Sequence, residues 1–88
     1  MGVELSGHQL VALTKLIWEA IYAAWGKADS DNVDVEITIV LPNKLNKFEK
    51  IGGFPVENDA KLKDDKAYLL LKPGRRRHSF SIAEVWKV

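Results

Sequence analysis

Cysteine is absent from this 88-residue chain. No disulfide can staple it, and no thiolate is available as metal ligand or nucleophile. A chain without cysteine is compatible with a reducing cytoplasm, which is the location expected here. Net charge is nearly absent too: 13 lysines and arginines face 12 acids, leaving +1. A dedicated nucleic-acid binder is normally far more basic. Any ionic partner must therefore be met by a local patch, not by the field of the whole molecule.

Long apolar runs are also missing. Nothing approaches the run of about 18 apolar residues that reads as a membrane span. No basic stretch leads into an apolar one at the N-terminus, as a signal peptide requires. Membrane association is accordingly not expected. Only two histidines occur, His8 and His78, which leaves little for acid–base work near neutral pH. His78 and Ser79 are neighbours on an expected strand and point to opposite faces, so they form no nucleophile pair. No glycine-flanked serine elbow is present. The paired acids Asp64/Asp65 and Asp34/Glu36 fall on expected wet surfaces, where raised pKa values are not anticipated. The chain reads as non-enzymatic, with no cofactor.

What is present begins with a long amphipathic segment from Leu5 to Gly26. Ser6 followed by Gln9 predicts a reciprocal capping box, with Leu5 and Leu10 placed as a hydrophobic staple. Gly26 stands where a left-handed C-terminal residue is wanted, and Lys27 places a cation near the negative end of the dipole. On a wheel of about 100° per residue, Leu10, Leu13, Ile17, Ile21 and Ala24 share one face. His8, Ala12, Lys15, Glu19 and Lys27 lie opposite. Val11, Trp18, Tyr22 and Trp25 form a second apolar shoulder between them. A surface helix usually carries an apolar arc a little over about 100° wide, and this arc is roughly twice that. Something besides a sheet must cover the shoulder. Two coverings are open: the long connection later in the chain, or a second subunit or partner, since aromatic clusters favour interface cores.

Ala28 to Asn32 is a polar turn. The series Asp29, Asp31, Asp34 and Glu36 resembles a calcium loop only superficially. Counting from Asp29, Val33 holds the fifth position, Asp34 replaces the turning glycine and Val40 replaces the bidentate glutamate. No metal site is expected. Val33 to Leu41 alternates strictly enough to predict a strand with one face on the helix and the other wet. Pro42 ends it.

Asn43 to Asp65 is too long for a structureless connection in a domain this small. Leu45, Phe48 and Ile51 suggest a helical or 3₁₀ turn, and Gly52-Gly53 permits an unusual backbone path. Phe54 to Val56 is a candidate short strand, and Glu57 to Asp65 reads as a solvated loop. A Gly-Gly pair without a following Lys-Ser or Lys-Thr is no phosphate loop. Lys66 to Lys72, apolar on both faces, reads as a central strand. After a Pro73-Gly74 turn, Ser79 to Val88 reads as a third strand. There Glu84 interrupts the inward series, so either a bulge turns Trp86 inward or Trp86 faces out. The expected fold is α+β, with one long N-terminal helix packed on a three-stranded, mainly antiparallel sheet.

Arg75, Arg76 and Arg77 with His78 form the strongest charge run, expected at the last hairpin. Such a run can meet an acidic protein surface, enter a nucleic-acid groove, or stay solvated and guard an edge. The leading expectation is a small protein-interaction module of inhibitor or adaptor type, a format compatible with phage and mobile-element accessory proteins. It would bind a protein partner or self-associate through Trp18, Tyr22 and Trp25, with Arg75, Arg76 and Arg77 as a second contact. The alternative is nucleic-acid binding through Arg75, Arg76, Arg77 and His78.

Overall fold

The computed structural model describes residues 4–27, 35–45 and 47–87. Its first element is α1, Gly7–Lys27. The Ser6 N–H donates to Gln9 Oε1 at 2.9 Å, and the Gln9 N–H donates to Ser6 Oγ at 3.2 Å. This is the capping box that the spacing predicts. Ser6→Ala should therefore cost about 1 kcal/mol, read as a shift in the urea midpoint with an unchanged slope. The helix runs through Gly26 to Lys27, one residue past the expected stop. The turn from Ala28 to Asn32, and Asp29, Asp31 and Asp34 of the calcium-loop comparison, lie outside the described residues.

Strand β1, Glu36–Pro42, leads into a 3₁₀ turn at Asn43–Leu45. Then come β2, Lys50–Ile51, and β3, Phe54–Asp59. Strands β4, Lys66–Lys72, and β5, Arg76–Ser81, precede a short helix α2, Ala83–Lys87. The α+β class holds, but the three-stranded sheet is corrected to five strands in the order β2-β3-β1-β4-β5. It is mixed but mainly antiparallel, as expected: β1 pairs with β3 in parallel, and the other neighbours pair antiparallel.

The extra strands come from the 43–65 excursion. Gly52 and Gly53 have φ of 60° and 87° and join Ile51 to Phe54, which pair with each other. Both positive dihedrals match the mirror-image turns whose twist suits a two-residue hairpin. That hairpin brings β3 alongside β1, with Ile39 opposite Val56. At its far end, the Asn58 side-chain amide donates to the carbonyls of Pro42 and Leu45 at 3.2 and 3.1 Å. It thereby ties the 3₁₀ turn to the sheet.

The third strand is also corrected. It occupies Arg76–Ser81, not Ser79 to Val88, and Ala83–Lys87 is helical. The Ala83 N–H donates to Ser81 Oγ at 3.2 Å, which caps α2. Neither strand orientation foreseen for Trp86 applies. From α2 its indole N–H donates to the Asp64 carbonyl at 2.8 Å, and the Lys44 ammonium lies 4.5 Å from the ring centroid.

The core fills the space between α1, α2 and one sheet face. Leu13, Ile17, Ile39, Leu41, Leu69, Ile82 and Val85 are all at most 1% exposed. By the alternation of β-strands, Val40 and Tyr68 fall on the opposite face, where they pair with each other. That face is not simply wet, because both residues are buried, with the Arg77 guanidinium 4.7 Å from the Tyr68 ring centroid. Among the described residues, no helix is long and apolar enough to cross a membrane.

Candidate functional site

The apolar shoulder of α1 divides in the structure. Trp18 is half-buried. Its ring meets Phe54 edge-on at a centroid distance of 5.7 Å and Tyr22 at 5.9 Å. The glycine turn closes against it from the sheet side: a Cβ built on Gly52 would lie 3.3 Å from Trp18 Cζ2. The middle of the chain thus covers Trp18 and stops there. Val11 remains 68% exposed, Tyr22 70% and Trp25 58%. Leu10, which the wheel places with the core, is 41% exposed. It sits at the rim of the helix in the first turns, one turn ahead of Leu13.

The two glycines near α1 give opposite expectations. Gly52 has positive φ and the Trp18 ring above it, whereas Gly7 has open space around its Cβ position. Gly52→Ala should lower the melting temperature by several degrees, corresponding to a loss of about 1–2 kcal/mol. Gly7→Ala should raise it slightly, since alanine restricts the unfolded chain without strain.

The N-terminal part of the exposed stripe is concave. Leu10, Val11, Thr14 and Lys15 line an open depression, and Thr14 turns its hydroxyl inward to the Leu10 carbonyl at 2.9 Å. Farther along the helix, Tyr22 and Trp25 are exposed. Sequence reasoning found Val11, Tyr22 and Trp25 but missed Leu10. The small, self-satisfied Thr14 among large apolar residues was the available sign of a hollow.

The arginine run does not form one patch. Arg75 lies in the hairpin turn with φ of 49°, and Arg76 and Arg77 both belong to β5. Successive strand residues face opposite ways. Arg77 thus stacks on Tyr68, on the face away from α1. Arg76 and His78 share the α1 side, and together with Ala24, Leu71 and Arg77 they line a cavity of about 100 Å³. This is well below the roughly 300–1,000 Å³ of ordinary ligand sites. All three arginines are exposed and His78 is half-buried. No cluster of three or more His, Cys, Asp or Glu side chains suited to a metal occurs among the described residues. His8 is exposed in the first turn of α1, on a different element from His78.

Comparison with protein-family models, with curated proteins and with solved structures found no match to this chain.

Proposed function

We propose that this chain is a small protein-interaction module whose contact surface is the outer stripe of α1, centred on Val11, Tyr22 and Trp25. The observation that carries this reading is the exposure of Tyr22 at 70% and Trp25 at 58% on a helix whose other face is buried in the core. Large aromatics left in water are costly to keep uncovered. At interfaces they supply most of the binding energy, because they bring large rigid area at a small entropy cost. Trp18 supports this stripe from beneath and is not its tip. The arginines split between a turn and two sheet faces, so they serve at most as separate charged contacts.

The test is capture from native-host extract on immobilised wild type and on the Tyr22→Glu/Trp25→Glu double variant, each with and without nuclease. Retention of a protein by the wild type, lost in the variant and unaffected by nuclease, supports the reading. Retention that nuclease abolishes, or that the variant leaves unchanged, contradicts it. Both substitutions fall on exposed positions, so the variant should keep the wild-type circular dichroism spectrum.

A further inference from the structure

The sheet ends on two unlike edges. One is β2, two residues long; the other is β5, six residues long and exposed or half-buried throughout. A long open edge is a template for another strand. The register of β5 on β4 runs without a bulge, and just beyond it the Ile82 N–H donates to the Asp65 carbonyl at 2.8 Å. Bonded and non-bonded pairs alternate along an antiparallel ladder. Counting back from Ile82, the residues Phe80, His78 and Arg76 bond to β4. Ser81, Ser79 and Arg77 therefore turn their N–H and C=O groups to the free side. Among the described residues, no strand lies there to receive them.

The side chains along this edge select its occupant. β5 carries two arginines and no acid, and Arg75 precedes it. Among the described residues, no ion pair engages any of the three. A second copy of β5 would bring more positive charge to the seam; an acidic strand neutralises it. Strand alternation sends Arg76 and Arg77 to opposite sheet faces, where a phosphate backbone lying on one face meets only one of them. An added strand alternates in the same way and reaches both. On the face away from α1, the Arg77 guanidinium lies 4.7 Å from the Tyr68 ring centroid, on the side where a residue paired with Arg77 would place a carboxylate. The next residue of that strand comes to the α1 side, beside the cavity lined by Ala24, Leu71, Arg76, Arg77 and His78. That cavity is too small for an ordinary ligand but suits one aliphatic side chain.

We infer that β5 is an acceptor edge for an extended acidic segment of another protein, which adds as a sixth strand with a carboxylate on Arg77 and an aliphatic side chain at the cavity. In strand addition the main-chain bonds supply affinity, and the alternate side chains supply specificity. This edge is separate from the α1 stripe, so the inference does not rest on the interaction reading above.

The test is proton–nitrogen NMR of the full chain titrated with an acetylated, amidated peptide of alternating glutamate and valine. Binding at about 0.1–1 mM is expected, with slowed exchange at the Arg77, Ser79 and Ser81 amides. N-methylating every glutamate or every valine of the peptide should give opposite results: one set abolishes binding and the other leaves it unchanged, because a strand offers only one edge to β5. Arg77→Glu should weaken binding at least about five-fold and should favour a lysine–valine peptide instead. Tyr22→Glu/Trp25→Glu should bind the peptide as wild type does. No binding at about 1 mM overturns the inference, as does equal binding of both methylated peptides, indifference to Arg77→Glu, or displacement of the peptide by oligothymidylate at equal concentration. Protection of the Arg77, Ser79 and Ser81 amides before any peptide is added, by a second copy or by the chain's own residues 28–34, overturns it as well. Each of these failures leaves the capture test of the α1 stripe standing.

Discussion

Leu69→Ala is expected to remove about 2–5 kcal/mol of stability, against a total of about 5–15 kcal/mol for an ordinary domain. Leu69 is fully buried, stands in β4, and pairs with Ile39 on one side and His78 on the other. It belongs to the cluster that holds Leu13 and Ile17 of α1 against the sheet. Truncation there opens a cavity where helix and sheet meet, and backbone pairing on both sides of the strand limits how far the walls can close. Guanidinium unfolding should show a much lower midpoint with an unchanged slope. A loss under about 1 kcal/mol would mean that the helix–sheet layer is not the main source of stability. Tyr22→Ala, on the opposite side of α1, should change the same midpoint of the dilute monomer by no more than about 0.5 kcal/mol.

Trp18→Ala should cost about 2–3 kcal/mol, less than full burial of an indole would imply. Its ring bridges Tyr22, Phe54 and the glycine turn. Losing it unseats the β2–β3 hairpin, whose β2 partner is only two residues long. Amide exchange should accelerate at Ile51, Phe54 and Val56 well before the β1–β4 core responds. Equal acceleration in both regions would show that the hairpin is not held separately by Trp18. Trp18→Ala is consequently a poor probe of binding, because it changes the fold that presents the stripe. Trp25→Ala removes exposed surface and leaves those contacts in place.

The parts of the fold legible in the sequence were those with local signals. The Ser6/Gln9 box set the start of α1, the alternation from Val33 to Leu41 marked β1, described over Glu36–Pro42, and Pro73-Gly74 marked the last turn. The missed elements had signals of the same kind that were outweighed by composition. The candidate strand Phe54 to Val56 lies within β3, but the two-residue hairpin turn Gly52-Gly53 is hidden because Leu45, Phe48 and Ile51 share a helical spacing. Ser81 three residues before Glu84 repeats the spacing of the first capping box, yet Phe80 and Ile82 suggested a continuing strand. β5 begins at Arg76 because pairing with Leu71 on β4 outweighs the turn-like character of an arginine run. The parallel β1–β3 pairing depends on where the hairpin docks, and no local pattern encodes that.

For the site, the excess apolar girth of α1 was visible from periodicity alone. Which part of it the chain covers was not, since that depends on Gly52 reaching Trp18 and no farther. The arginine run had seemed a single feature, but strand alternation divides it.

The most direct test of the account uses the chain with fluorinated tryptophan at its three indole positions, observed by fluorine NMR in H₂O and D₂O at micromolar concentration. The account predicts the full solvent-isotope shift of an open indole at Trp25, with smaller shifts at Trp18 and Trp86. A Trp25 resonance shielded from solvent in the dilute chain would show that the protomer covers its own stripe, and would contradict the claim that α1 is held open for a partner.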